Sequence, residues 1–338
     1  DGLHTLAPYG DPVYARLRGE LALPVEQATR LDSLFALHPA LAQVATMYTQ
    51  GEVLLVHAVA SPYRERSHFD GQNVLETGGN QPYQMRDGWL NRLVSLLPQR
   101  PRAIALAPTV PVALRGDSKV LSYAPSNLRA PSDDLLLRVQ QLYRSDAQLD
   151  ALWTTALQTR GMASSEVTRQ DPASLGTLAA SFLVRDDGPR IAMLETEGWD
   201  THSGQAGRMT SQLKGLDALL GALRTGLGDT WARTTVLVAT EFGRTAAANG
   251  TGGTDHGTGA VALLLGGRVQ GGRVLADWPG LDTPALLDGR DLRPTLGLDA
   301  LIARAAAESF GLDPERLGRQ LFARGAVAQP LREPLLRG

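Results

Sequence analysis

Five short segments, apolar at nearly every position, set the tightest limit on how this chain folds. They are EVLLVHAVA (Glu52 to Ala60), RAIALAP (Arg102 to Pro108), RIAMLET (Arg190 to Thr196), TVLVATEF (Thr235 to Phe242) and AVALLLGG (Ala260 to Gly267). A strand with one wet face alternates apolar and polar residues, whereas a strand covered on both faces reads as a continuous apolar run, as in a parallel sheet. Each run is followed by turn residues and a helical pattern. The expected fold is therefore α/β: a three-layer α/β/α sandwich with a mainly parallel central sheet. At 338 residues the chain suits one main domain with an insertion.

Period and punctuation mark two helices. PALAQVATMYTQ (Pro39 to Gln50) stops at Gly51, a natural C-terminal cap. Ser203 to Leu227 repeats apolar residues at Met209, Leu213, Leu216, Leu220, Leu223 and Leu227, so one of its faces must pack on the sheet. Between residues 131 and 177 the chain is polar and helix-prone (DDLLLRVQQLYRSDAQLDALW, then SSEVTRQDPAS), with no strand pattern. This stretch is expected to be a helical insertion over or beside the site, within a single domain spanning 1–338. There is no internal repeat and no low-complexity segment.

Composition removes several function classes. The net charge of −2 is near zero for this size, so no nucleic-acid partner is expected; Lys119 and Lys214 are the only lysines, and the excess of arginine over lysine reads as genome composition rather than a basic binding surface. Cysteine is absent, which excludes disulfides, thiolate metal sites and cysteine nucleophiles and leaves histidine and carboxylates as the metal donors. No run approaches the roughly 18 apolar residues that cross a bilayer. No signal-peptide pattern is present, as expected of a mature or trimmed form opening on Asp1-Gly2-Leu3. The oligomeric state is left open.

With only six histidines, each can be weighed. His57 lies inside an apolar strand and His38 just before the helix at Pro39, positions that suit structural roles. For His4 both roles stay open. The other three, His68, His202 and His256, sit at the ends of expected strands beside carboxylates. In Glu195-Thr196-Glu197-Gly198-Trp199-Asp200-Thr201-His202 a strand runs into a turn that presents Asp200 and His202 two residues apart. Alternate residues of extended chain point the same way, so both can reach one metal ion; the competing role for Asp200 is an N-cap of the next helix.

A second cluster begins where TVLVATEFGRT delivers Glu241 and Arg244 at a strand end. It continues through the glycine-rich NGTGGTDHGTG to Asp255 and His256. Ligands of open α/β sheets bind outside the carboxyl ends of strands, where Glu241 falls. Arg244 suits an anionic ester group, or an ordinary ion pair with Glu241. The glycine loop matches neither the P-loop nor the dinucleotide fingerprint. A third segment, Ser61 to Asp70, leads into a helix that ends near Gly78, with Ser67 as its N-cap. A hydroxyl at a helix N-terminus also sits in a positive field that favours an anion or a developing alkoxide.

Taken in order, these segments resemble the alkaline phosphatase superfamily of phosphatases, arylsulfatases and cofactor-independent phosphoglycerate mutases. RSHFDGQNVLETG is similar in placement to the sulfatase segment that carries the nucleophile at a helix start and closes on Thr-Gly. That resemblance puts Ser67 at or one residue from the nucleophile position, with His68 as the competing alignment. GWDTH implies Asp200 and His202 as metal ligands. Where the superfamily shows Asp-His-Gly this chain reads Glu241-Phe242-Gly243, so Glu241 replaces the Asp and the His has no counterpart. DHGTGAVALLLGG points to His256 as a ligand and to Asp255 as a neighbouring ligand or orienting group. More closely, DGL, RSHFDGQNVLETG, GWDTH, TEFGRT, DHG and DLRPTLGLDALIARAAAESFGLD resemble DUF1501, a bacterial family of unknown function within that superfamily, commonly exported folded by the twin-arginine route. In that family DGL follows a first strand, which implies Asp1 as a metal ligand.

The function expected is a metal-dependent hydrolase of phosphate or sulfate esters, exported to the periplasm or beyond, acting on a small-molecule or glycan ester. One or two divalent ions (zinc, manganese or calcium) would be held by Asp200, His202, Glu241, Asp255, His256 and Asp1, activating Ser67 or a water. Arg64, Arg66 or Arg244 would hold the ester oxygens. The alternative is an exported carbohydrate-binding or assembly protein with a partly eroded site; a phosphomutase using Ser67 ranks third.

Overall fold

The computed structural model describes residues 1–97, 103–125, 131–163, 171–323 and 331–338. Each apolar run contains a strand: Val53–Ala60, Ala103–Ala105, Ile191–Met193, Val236–Val238 and Ala260–Leu265. Arg102, where the second run was expected to begin, lies outside the described residues. Every residue of Val53–Ala60 and Ala260–Leu265 is buried, the property that keeps both segments apolar apart from His57.

Side chains alternate between two cores. Val53, Leu55, Ile104, Leu263 and Leu265 enter one, whereas Leu54, Val56, Ala103, Ala105, Ala262 and Leu264 enter the other. The first core is closed by helix Gln205–Leu227, through the six apolar residues that mark its period, and by Pro172–Leu183 and Ala42–Thr49. The second is closed by Trp89–Leu96, Leu298–Phe310 and Pro314–Leu321, through residues such as Leu93, Leu301, Ile302 and Leu317. Burying each such side chain contributes roughly 1.5–3 kcal/mol, so both cores draw on the same strands for stability.

The main sheet is mixed rather than mainly parallel, which corrects the sequence expectation. Its order is Arg273–Leu275, Val53–Ala60, Ala260–Leu265, Val236–Val238, with Leu296–Gly297 paired to the end of Val53–Ala60. Ala260–Leu265 runs antiparallel to both of its neighbours, while Arg273–Leu275 and Leu296–Gly297 run parallel to Val53–Ala60. A separate sheet of Val120–Ser122, Ala103–Ala105 and Ile191–Met193 is parallel, and a small antiparallel one joins Leu6–Ala7, Ala36–Leu37 and Thr29–Arg30. Parallel neighbours need a crossover of a dozen or more residues, usually a helix. Val238 to Ala260 holds turns and no helix, so the chain comes back antiparallel. In consequence the carboxyl ends of Val53–Ala60 and Val236–Val238 and the amino end of Ala260–Leu265 meet at one edge, which is where the site forms.

The 131–177 stretch is helical as expected, though residues 164–170 lie outside the described residues. Helices Asp133–Tyr143 and Ala147–Met162 pack on each other, and the second also reaches the Val120–Ser122 edge. They leave Leu137, Leu142 and Leu152 exposed. Pro172–Leu183 instead buries Leu178 and Phe182 completely and is part of the core, and Met162 at the end of the second helix packs against the same core.

Candidate metal centre

His68 opens helix His68–Thr77, which Gly78 closes in a left-handed conformation (φ 71°). Ser67 occupies the N-cap position, but its side chain makes no capping bond; its backbone N–H donates to the Tyr63 hydroxyl at 3.1 Å. His202 comes from the turn after Ile191–Met193, and His256 from the loop that enters Ala260–Leu265.

The three imidazoles share one pattern. His68 Nδ1 lies 2.7 Å from Glu241 Oε1, His202 Nδ1 3.2 Å from Asp255 Oδ1, and His256 Nδ1 2.8 Å from the Arg66 carbonyl. Carboxylates and carbonyls only accept, so each δ nitrogen donates, and in the neutral imidazole each ε nitrogen is then left with its lone pair. Those ε nitrogens converge on Asp200: His202 and His256 stand 2.9 and 3.1 Å from Oδ1, and His68 3.5 Å from Oδ2. The Nε2 atoms of His202 and His256 are 3.1 Å apart, and the buried Nε2 of His68 makes no hydrogen bond. With all three imidazoles neutral, lone pairs aimed at a carboxylate and at each other repel, and a cation among them, a proton or a metal ion, removes that repulsion. His68, Asp200 and His256 thus form a possible His/Asp/His metal-binding triad, with donor atoms all within 4.8 Å of one another. Neutral imidazoles with a carboxylate suit zinc, manganese or iron.

Asp200 is kept ionised. Burial pushes its pKa up, but a hydrogen bond and the charge of Arg244, helped by His202 and His256, outweigh that and lower it to about 2. Arg244 is itself 5% exposed, with Nη1 on Asp200 Oδ1 and its other nitrogens on the Thr254 hydroxyl and carbonyl. It pairs with Asp200 and not with Glu241. The donors remain reachable from solvent, since the Asp200 and His202 side chains are 44% and 47% exposed.

The other residues singled out from sequence fall around this set. Glu241 stands behind His68, its second oxygen accepting from the Thr240 hydroxyl, and Asp255 stands behind His202, also accepting from Asn249. A carboxylate in that position fixes the tautomer and raises the basicity of the ligand it backs. The His202 and Asn249 hydrogen bonds hold the Asp255 pKa below the usual carboxylate range. Asp1 is not among the converging donors: Oδ1 accepts from the His4 N–H, and Oδ2 receives Arg18 and Gln205, each at 2.6 Å. Arg66 is paired with Asp291 and Asp288, and Arg64 donates to the Ser61 and Tyr63 carbonyls.

Arg18 and Gln205 escaped the sequence reading. Arg18 is fully buried and also donates to the carbonyls of Thr245 and Ala246; Gln205 accepts from the Thr201 and Thr254 hydroxyls. Neither carries a motif, because their partners come from distant parts of the chain. The glycine-rich loop gains a reason here. A Cβ on Gly253 would run into the backbone of His202, and one on Gly257 into that of Arg244.

His57 and His38 are structural, as expected. Fully buried His57 donates from Nε2 to the Leu6 carbonyl and accepts the Ala58 N–H, and burial lowers its pKa to about 3. His38 Nδ1 accepts the Ala40 N–H at 3.1 Å. His4, left open by the sequence, is buried against the His38 ring, and burial lowers its pKa to about 3.

Comparison with curated proteins gave no match, and comparison with solved structures gave none either. No described helix is long and apolar enough to cross a membrane. Residues 38–320, which contain all three imidazoles, Asp200 and the carboxylates behind them, match one family throughout, and the chain belongs to that family, described as a protein of unknown function (DUF1501).

Proposed function

We propose that this chain is a divalent-metal-dependent hydrolase of a phosphate or sulfate ester, with the ion held by His68, Asp200 and His256 and by His202 from the more open side. One observation carries the reading: three imidazoles have their δ nitrogens on oxygen acceptors and their ε nitrogens turned on a single carboxylate. The ion, when bound, supplies charge neutralisation and nucleophile activation. The chain supplies the rest. Glu241 and Asp255 hold the δ protons of His68 and His202, and Arg244 keeps Asp200 ionised while placing a fixed positive charge beside the donors, which favours an anionic substrate group. Ser67, next to His68 at a helix start and not used as a side-chain cap, is the candidate nucleophile; a water is the alternative.

The resemblance to the alkaline phosphatase superfamily supports this assignment, as do helices on both faces of the strands, the arrangement a three-layer sandwich would have. Export to the periplasm is proposed on the same resemblance. Three nitrogens and one carboxylate favour zinc or manganese over calcium. The test is a panel of phosphate monoesters, phosphodiesters and sulfate esters offered to metal-replete protein. Turnover abolished by chelation and by His256→Ala supports the reading, and no turnover of any member counts against it.

A second reading, a non-catalytic exported glycan-binding protein, draws on the exposed rings of Phe69 and Tyr83, 82% and 68% accessible, near the start of the His68–Thr77 helix and in the loop after it. Glycan binding that survives chelation and His256→Ala would favour it.

A further inference from the structure

We propose that Asp291 is a positioning residue for this centre, holding the segments that carry His68 and His256 at the angle a single ion requires. The inference rests on the metal reading above. Asp291 is completely buried, and it lies in the DLRPT stretch, which contributes no group to the cluster itself.

Its carboxylate joins three segments. Oδ2 accepts from Arg66 Nε at 2.9 Å and from Thr258 Oγ1 at 2.8 Å, and Oδ1 accepts from Arg290 Nη1 at 2.9 Å. Each of these leads to a ligand. Arg66 precedes His68 by two residues and Thr258 follows His256 by two, while Arg290 Nη2 donates to the His256 carbonyl at 2.8 Å. Arg66 also turns its own carbonyl onto His256 Nδ1 at 2.8 Å, with φ at 62°. A non-glycine residue holds that left-handed conformation only where its surroundings impose it. Asp291 supplies the imposition by gripping the side chain whose backbone does the orienting. His68 and His256 are thereby held with ring centroids 4.3 Å apart and planes at 74°, so that both ε nitrogens reach Asp200. Outer partners of this kind typically alter metal affinity 10- to 100-fold when removed.

The experiment uses the full chain and Co²⁺, with affinity measured by chelator competition and ligand geometry by the visible absorption spectrum of the bound ion. Asp291→Asn is expected to weaken Co²⁺ binding about 10- to 100-fold and to change the spectrum. Thr258→Val is expected to act in the same direction, with Thr258→Ser, which keeps the hydroxyl, restoring parental values. Should Asp291→Asn fail to fold, Arg66→Gln and the Thr258 pair carry the test, since they leave the carboxylate in place. Variants that lower the melting temperature of metal-free protein but leave Co²⁺ affinity and spectrum at parental values overturn the positioning role and leave the metal reading standing. A parent that binds no Co²⁺ overturns both.

Discussion

Replacing Asp299 with asparagine should make this protein more stable at pH 8 and change little at pH 4. Asp299 lies in the first turn of Leu298–Phe310 and is 4% exposed. One oxygen accepts the Ala300 N–H at 2.9 Å, and the other is buried without a hydrogen bond, in a small cavity lined by Ser61, Val74, Gly78, Ile302 and Phe322. Burial raises its pKa from 3.8 to about 6. The folded state therefore binds this proton more tightly than the unfolded chain does. The resulting stability is fully present below pH 3.8 and is lost as pH rises through about 6. Two pKa units at 1.36 kcal/mol each set an upper bound of about 3 kcal/mol. Asparagine keeps the acceptor for Ala300 and cannot ionise, so the variant should gain about 1–3 kcal/mol over the parent at pH 8. Urea unfolding of both proteins at pH 4 and pH 8 measures the difference. A gain that is equal at the two pH values, or a loss at pH 8, would refute the reasoning.

The buried histidines set the opposite trend at lower pH. His4 and His57 are held neutral with pKa values near 3 against 6.5 unfolded, so the stability this gives is present above pH 6.5 and is lost as pH falls towards 3. By pH 5 each should cost about 2 kcal/mol, visible as a falling urea midpoint that His57→Phe makes shallower. Glu241→Gln removes the carboxylate behind His68 and should weaken zinc binding about 10- to 100-fold by chelator competition, with the fold retained by circular dichroism. Gly253→Ala drives a methyl into the His202 backbone and should destabilise by about 1–3 kcal/mol, with lowered metal affinity; unchanged melting and metal content would contradict the packing argument.

Burial by continuous apolar runs is what made the strands legible, and strand direction was not legible for the same reason. A strand covered on both faces reads alike in parallel and antiparallel pairs, so Ala260–Leu265 was found while its reversal was not. The Gln205–Leu227 helix announced itself through its period; Leu298–Phe310 did not, being rich in alanine and apolar around much of its circumference. At the site, proximity in sequence placed Asp200 beside His202, 2.9 Å from its Nε2, whereas Asp255 turns to His202 and not to its neighbour His256. Glu241, taken from a strand end, and Asp1, taken from the family resemblance, hold other side chains in the structure: His68, and Arg18 with Gln205. The resemblance offers His68 as the competing nucleophile alignment; its partners Asp200 and Glu241 lie more than 100 residues away, and the fold alone turns it onto them. Asp291, although it opens the DLRPTLGLD segment of the family resemblance, and Arg18 gave no sign of their partners, since a buried ion pair across the chain leaves no spacing to recognise.

Elemental analysis by inductively coupled plasma mass spectrometry addresses the central claim most directly, run on the purified parent and on His68→Ala, His256→Ala and Ser67→Ala variants after reconstitution with zinc or manganese. The account predicts near-stoichiometric metal in the parent and in Ser67→Ala, and loss of most of it in both histidine variants. A parent that takes up no metal, or a His68→Ala protein that keeps a full complement, would contradict it.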